Sequence, residues 1–442
     1  MEKELDRKLV IWDKKNILVS LLLVLISTSF FYYINSNIED FHNWPTLKYK
    51  SGDSTTYLKS GQWFLGEVSL SEVERSVAIR PFFYSVIVAL FEKVSPWSLQ
   101  AFQFLLWVAQ IILVFFCGIL ISGSKTKSFF LSLCCVAILS PVGISLHALS
   151  ETTVSFLLIS SVFFLIYYLS NTKSNVFLFL HLLMLSLSSV TKPLYFYLFI
   201  LDIVFLYFTS KNNRLIYIFF IVMTFSPVVF QIVIMSDNFN LKKISFIDTV
   251  TINAYFITRL NSKNISSIKN IDIDRVIPFI RKKRREYIDN NINKKGYRYV
   301  DKMIRLELYE NMRKYPLETA GNFLYLIWEN SLQPSFFLFS KKEKINDLFF
   351  RISFIQSKIL LFSNVISLFL LSILIVKKVF SGNLFFWGTN FFLFCGIFLS
   401  YASTGVTFWQ GDRFLIPIYE LSFVWFFLQL QAAVHFFIKK KV

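Results

Sequence analysis

Residues 98–122 read SLQAFQFLLWVAQIILVFFCGILIS, a run of 25 residues without a charged side chain. A helix needs about 20 consecutive apolar residues to cross the hydrocarbon core of a bilayer. Across all 442 residues, 55% are hydrophobic and only 17% are charged, whereas soluble domains carry about 25% charged residues. No soluble core could bury this many long apolar runs. The sequence therefore predicts an all-α polytopic membrane protein.

The apolar runs predict about ten transmembrane helices. The predicted spans are residues 17–35, 98–122, 129–148, 152–170, 176–190, 193–210, 215–235, 355–376, 383–402 and 414–438. The first run follows a charged segment and has no small-residue cleavage site, so we expect an uncleaved span rather than a signal peptide. Three regions follow: an N-terminal transmembrane module (1–235), a large basic loop that is mostly helical (236–354), and C-terminal transmembrane helices (355–442).

The distribution of Lys and Arg predicts the orientation. With the N-terminus inside, the inner segments hold 15 basic residues, whereas the short outer connections hold only Lys192 and Arg413. Cytoplasmic loops carry the excess of basic residues, so both termini are expected inside. Two long segments then lie outside, residues 36–97 and 236–354. The apolar stretch from Pro81 to Phe91 is too short to span and is expected as a juxtamembrane helix.

The net charge of +18 does not indicate nucleic-acid binding. Basic residues of membrane proteins accumulate in loops and near anionic head groups, and no aromatic-interleaved basic module is present. All four cysteines fall inside apolar runs, without disulfide or metal-type spacing. We therefore predict no metal site from the sequence.

The first outer loop carries the most suggestive polar motifs. It reads Ser51-Gly52-Asp53-Ser54-Thr55-Thr56-Tyr57, then Ser60-Gly61-Gln62-Trp63, and later Ala78-Ile79-Arg80-Pro81. Further motifs are Ser150-Glu151-Thr152-Thr153, Thr191-Lys192-Pro193, Met312-Arg313-Lys314-Tyr315-Pro316 and Gly411-Asp412-Arg413-Phe414 followed by Pro417.

The order of these motifs resembles the GT-C glycosyltransferases, in particular the branch of protein O-mannosyltransferases and lipid A aminoarabinose transferases. Members place an acidic residue after the first span, Tyr four residues later, and a basic residue directly before Pro at a juxtamembrane helix. An Arg-aromatic-x-x-Pro motif stands near the last span. Two features depart from the family: Ile79 replaces an acidic residue, and the chain ends three lysines after its last predicted span, where many members carry a soluble domain.

The resemblance implies transfer of a hexose from a polyprenyl-phosphate carrier, with inversion at the anomeric carbon. Asp53 is the candidate general base for the acceptor hydroxyl. Tyr57, Arg80, Glu151, Lys192, Asp412 and Arg413 are the candidate substrate-binding residues, with the cations expected on the phosphate. Some members bind a divalent ion near the first-loop carboxylate, so the cofactor remains undetermined. The expected partners are the lipid donor, a glycan or lipid-linked glycan acceptor and membrane lipids, without nucleic acid.

Other interpretations stay open on the sequence alone. Asp53 could be a helix N-cap, Arg80-Pro81 a helix start, and Glu39-Asp40 a rival base. An O-antigen polymerase or ligase would use the arginines of residues 275–314, in particular Arg281, Arg284 and Arg285. A lipid-linked oligosaccharide translocator would need a polar path, for which the sequence offers mainly Asp202. The expected location is the bacterial inner membrane with a periplasmic site, and the acceptor is expected to be a glycan such as lipid-linked O-antigen.

Overall fold

The computed structural model describes residues 13–38, 52–172, 174–209, 214–262, 273–333, 343–377, 383–407, 413 and 415–439. Within these ranges all regular secondary structure is helical. Six helices of the described chain are long and apolar enough to cross a membrane. The prediction of an all-α protein with several membrane-spanning helices is therefore confirmed.

The helices are numbered here in chain order. The N-terminal region contains α1 (Lys14–Ile38), α2 (Gly52–Phe64), α3 (Leu70–Ile79), α4 (Phe82–Val94), α5 (Ser98–Ser122), α6 (Lys125–Val136), α7 (Leu139–Ile144), α8 (Glu151–Tyr167), α9 (Asn175–Ser189), α10 (Tyr195–Thr209) and α11 (Arg214–Phe239). The remainder contains α12 (Ile247–Thr251), α13 (Ile273–Lys314), α14 (Pro316–Leu332), α15 (Glu343–Val376), α16 (Leu384–Thr404) and α17 (Tyr419–Lys439). Wider π-type turns follow α8 and α12, and a 3₁₀ turn, Ile416–Ile418, precedes α17.

Helix α8 lies at the centre of the apolar helices. In the candidate span Glu151–Ser170, 78% of the residues are buried, against 22% in the spans of α1 and α11 and 28% in that of α15. The outer helices instead expose large apolar side chains, such as Leu18 and Leu215. Exposed apolar rows on such helices are the surfaces that lipid tails cover. Helix α8 is thus the most buried of the six candidate membrane-spanning helices.

The predicted span 129–148 is not one helix. Helix α6 ends at Val136, and the short α7 begins three residues later, at Leu139. Leaving the helix frees backbone groups that must find other partners. The side chain of Gln356 on α15 supplies them, because its amide donates to the Ala137 carbonyl at 2.7 Å and its oxygen accepts from the Leu139 amide at 3.0 Å. A long-range contact therefore stabilises the break.

Helices α2, α3 and α4 form a compact unit within the segment predicted as the first outer loop, called here the first loop. The predicted juxtamembrane helix from Pro81 is observed as α4, with Pro81 at its N-cap. Arg80 is extended (φ −113°, ψ 115°) between α3 and α4. Proline disfavours helical geometry in the residue before it, so the Arg-Pro pair sets this joint.

The large loop contains an antiparallel helical hairpin. Gly296, at φ +79°, divides α13 into two arms. The arms are joined by Arg284, which binds Glu307 through two hydrogen bonds of 2.8 and 2.6 Å, and by Tyr287 against the Met303 sulfur. Helix from Val276 onward, as predicted, is confirmed. Part of the apolar stretch 317–340 forms α14, and residues 334–342 lie outside the described ranges.

The close approach of α2 and α4 generates a stability prediction. A Cβ on Gly61 would lie 2.0 Å from the carbonyl oxygen of Ser85 and 2.7 Å from the Cβ of Ala89. Gly61→Ala must therefore move one backbone from the other, and we expect a loss of about 1–3 kcal/mol or more, since overpacking a tight contact has this effect. Thermal unfolding of the detergent-solubilised protein measures it.

Gly321→Ala on α14 is the matched control, because its Cβ would meet no atom of the described residues within 4 Å. Alanine favours helix over glycine by about 1 kcal/mol, so this variant should unfold at the same or a higher temperature. Equal losses in the two variants would contradict the proposed contact.

Candidate functional site

Five charged side chains from four segments of the described chain form one connected group, called here the charge cluster. Arg80 binds Asp53 (Nη2 to Oδ1, 2.5 Å), and Arg413 binds the other oxygen of Asp53 (Nη2 to Oδ2, 2.8 Å). Arg413 also donates from Nε to Oε1 of Glu151 at 2.8 Å. Lys192 stands 3.6 Å from the same Glu151 oxygen. The cluster thus bridges the first loop, α8, the α9–α10 connection and the segment before α17.

Arg80 is held in place mainly by α2. Its Nε donates to the Thr56 hydroxyl at 2.8 Å, and its guanidinium lies over the Tyr57 ring at 4.5 Å. Its carbonyl accepts a hydrogen bond from Ser60 at 3.2 Å. These contacts leave Nη2 directed at Asp53. The extended joint before Pro81 is what turns this arginine toward α2.

Tyr57 joins the first loop to the start of α8. Its hydroxyl shares a 2.9 Å hydrogen bond with the Ser150 hydroxyl, and its ring meets Tyr84 edge-on at 4.9 Å. Burial raises the pKa of Tyr57, so the phenol stays neutral near pH 7. Tyr57 therefore packs against Tyr84 and forms a hydrogen bond to Ser150, the residue directly before Glu151.

The cluster is closed from solvent except at one member. The side chains of Arg80, Arg413, Lys192 and Glu151 are 8%, 12%, 12% and 2% exposed, whereas Asp53 is 36% exposed. Asp53 consequently lies at the mouth. Burial alone would raise the pKa of Asp53, but the charges and hydrogen bonds of Arg80 and Arg413 prevail and hold that pKa well below its usual range.

The cations respond to the same surroundings. Burial would lower the pKa of Arg413, but Glu151 and Asp53 more than compensate and raise it, so the guanidinium is always charged. Burial lowers the pKa of Lys192, and the attraction of Glu151 only partly opposes this. With Lys192 protonated, three cations face two carboxylates. The cluster then carries one positive charge in excess.

This arrangement suits an oxyanion. Guanidinium groups bind carboxylate or phosphate oxygens through paired hydrogen bonds, and burial strengthens each contact. Both oxygens of Asp53 and one oxygen of Glu151 are bound by arginines. No group of three or more metal-ligating side chains occurs among the described residues.

Most predicted site residues come together in the structure. Asp53, Tyr57, Arg80, Glu151, Lys192 and Arg413 all belong to the cluster or contact it directly. Asp412 and the rival bases Glu39 and Asp40 lie outside the described residues. The chemical roles assigned to these residues stay predictions.

Sequence reasoning missed several polar partners of the site. Thr56 and Ser150 orient Arg80 and Tyr57, and only their position beside predicted site residues could have pointed to them. Glu420 on α17 is 1% exposed and accepts a 2.8 Å hydrogen bond from Ser155, one helical turn after Glu151. Glu420 follows Arg413 by seven residues in the chain. No sequence pattern indicated that its side chain would contact α8 through Ser155.

Comparisons of the chain with protein-family models, with curated proteins and with solved structures find no match. Function is therefore inferred from the motifs and from the geometry of the charge cluster.

The low pKa of Asp53 generates a pH prediction. A carboxyl whose pKa is lower in the folded than in the unfolded state stabilises the fold above its unfolded pKa, about 4, and this stabilisation is lost as pH falls further. At pH 7 Asp53→Asn should therefore unfold at a lower temperature than the wild type. The gap should narrow between pH 4 and pH 3, as measured by thermal unfolding in detergent. A gap that stays constant across this range would contradict the ion pairs of Asp53.

Proposed function

We propose that the chain is an integral membrane glycosyltransferase that moves a hexose from a polyprenyl-phosphate carrier to a periplasmic glycan acceptor, such as lipid-linked O-antigen. The observation that carries this proposal is the charge cluster, in which two arginines and Lys192 face two carboxylates, so that the cluster has one positive charge in excess when Lys192 is protonated. A phosphodiester linking sugar to lipid carries one negative charge, which complements this excess.

The place of the cluster favours a lipid substrate. Glu151 is the first residue of the most buried candidate span, and Lys192 lies between the apolar helices α9 and α10. The ends of membrane-spanning helices lie near the head groups, where the phosphate of a lipid carrier is held. A soluble sugar nucleotide would not need a site bounded by apolar helices on several sides.

The chemistry follows from the residue types. The bond between the anomeric carbon and the phosphate oxygen breaks as the acceptor oxygen forms a new bond to that carbon from the opposite face, which inverts the configuration. Asp53 takes the acceptor proton as general base. Arg80, Arg413 and Lys192 stabilise the negative charge on the departing phosphate. Tyr57 and Glu151 orient Arg80 and Arg413 for this role.

In this proposal the chain has a GT-C-like fold with ten transmembrane helices in a bacterial inner membrane, and the cluster faces the periplasm. The described helices α9, α10 and α17 and the α6–α7 pair would add to the six long spans. The order of the motifs and the assembly of six predicted residues at one site support this assignment.

The two alternative functions find less support. A polymerase or ligase would need the arginines of the hairpin free for glycan, yet Arg284 is engaged by Glu307 and by Asn253 (2.8 Å), and Arg281 lies over Tyr255 at 4.7 Å. A translocator would use the intramembrane Asp202. That carboxylate is 1% exposed and bound at 2.8 Å to the fully buried His181, which favours a structural contact between α9 and α10.

The proposal predicts that Asp53→Asn lowers the rate of sugar transfer by about 100-fold or more, because general-base catalysis contributes roughly that much. The assay is transfer of labelled hexose from polyprenyl phosphate to glycan in proteoliposomes. Lys59→Gln, an exposed change on the same helix, is the control and should transfer at the wild-type rate.

Normal transfer by Asp53→Asn would sink the proposed role of Asp53. If polysaccharide length instead depended on Arg281 and Arg285 and not on Asp53, the polymerase reading would replace the transferase.

A further inference from the structure

Asp53 occupies the position that an oxyanion ligand would take. Its two oxygens each accept a hydrogen bond from a different guanidinium, at 2.5 and 2.8 Å. Asp53 itself belongs to α2. A phosphate group presents oxygens to arginines in the same way as a carboxylate does. The Nη2 groups of Arg80 and Arg413 are therefore bound by a side chain of the protein itself.

We propose that Asp53 is an internal ligand that keeps the anion site closed in the empty protein, and that the phosphate of an entering lipid displaces it from Arg80 and Arg413. This inference rests on the proposed function for the identity of the phosphate.

Each of the two arginines has an anchoring contact other than Asp53. Arg80 is fixed through Nε by Thr56, and Arg413 is fixed through Nε by Glu151, each at 2.8 Å. Both bind Asp53 through the terminal Nη2 nitrogen. If Asp53 moves away, both guanidiniums keep their Nε anchors, and each Nη2 group loses its contact with the carboxylate. The site thus has fixed donors and an exchangeable acceptor.

Asp53 has the most exposed side chain of the cluster, at 36%, against 2% for Glu151. It is the second residue of α2, in the first turn, where the side chain can turn outward without disturbing the helix. Glu151, in contrast, is enclosed and holds two cations. The two carboxylates therefore divide into a fixed one and a displaceable one.

The contacts of Asp53 also determine how well its carboxylate accepts a proton. A carboxylate bound by two guanidiniums is a poor proton acceptor, because both charges lower its pKa. When phosphate takes the arginines, the hydrogen bonds that lower the pKa of Asp53 are lost, and the negative charge of the phosphate offsets the charges of the arginines. Asp53 then becomes a better base at the moment that the donor is bound. Water or acceptor in the empty site would meet an inactive carboxylate.

The same exchange provides a route for product release. After transfer, the acceptor proton resides on Asp53, and the lipid phosphate leaves the sugar as an oxyanion on the arginines. A protonated carboxyl cannot compete for guanidinium. Once Asp53 loses its proton to water, the carboxylate can return to Nη2 of both arginines and displace the lipid phosphate.

Inorganic phosphate tests the inference without sugar transfer. Its binding to the purified full chain in nanodiscs can be followed by the phosphate-induced rise in unfolding temperature, which reports affinity. A site closed most of the time has its apparent affinity reduced by the fraction open, so Asp53→Asn should bind phosphate about tenfold more tightly or better. Glu286→Gln removes an exposed carboxylate elsewhere and should leave the affinity unchanged.

Equal or weaker phosphate binding by Asp53→Asn would overturn the inference, since Asp53 would then support the arginines rather than compete for them. Arg413→Gln should weaken binding in both backgrounds. These outcomes are independent of transferase activity. Tighter phosphate binding by Asp53→Asn, together with a wild type that transfers no hexose, would support the internal ligand while refuting the proposed function.

A wild-type structure with phosphate bound provides a second measurement if Asp53→Asn does not fold. We expect the Asp53 oxygens to separate from both Nη2 atoms beyond about 3.5 Å, the limit of a hydrogen bond. The Arg80–Thr56 and Arg413–Glu151 contacts should persist. Phosphate bound beside an intact Arg80–Asp53–Arg413 bridge would refute displacement.

Discussion

The guanidinium of Arg413 is the contact on which the site depends. It binds Asp53 from the first loop and Glu151 at the start of α8, and so connects segments that are hundreds of residues apart in the chain. Removing two carboxylates and three cations from water is costly, and the mutual attraction offsets this only when the geometry is close. The short distances around Arg413 satisfy that condition. A site of this kind is coherent as a whole rather than residue by residue.

The first loop reaches this contact through a chain of local restraints. The Arg80-Pro81 joint turns the arginine toward α2, and Gly61 allows α2 to lie against the backbone of α4. Tyr57 then fixes α2 to Ser150, beside Glu151. Each restraint is modest alone, yet together they determine where the Asp53 carboxylate lies. The first loop is therefore a structured part of the site.

The apolar helices give the cluster its strength. Burial reduces screening by water, so an excess charge near α8 acts more strongly on a ligand than the same charge on a surface. Burial also makes it unfavourable to leave a guanidinium nitrogen without an acceptor. Asp53 accepts from the Nη2 groups of both Arg80 and Arg413. In the proposed mechanism an oxyanion competes for this same pair of contacts.

The sequence by itself determined that the chain is helical and rich in membrane spans, because long uncharged runs have no other stable arrangement. The resemblance of the first-loop motifs to the GT-C glycosyltransferases also pointed to Asp53, Tyr57 and Arg80 as one candidate site. Only the tertiary structure decided that Arg413 would bind both Asp53 and Glu151, and that Gln356 would stabilise a break at Ala137. Such contacts depend on how distant helices pack, which local composition and periodicity do not encode.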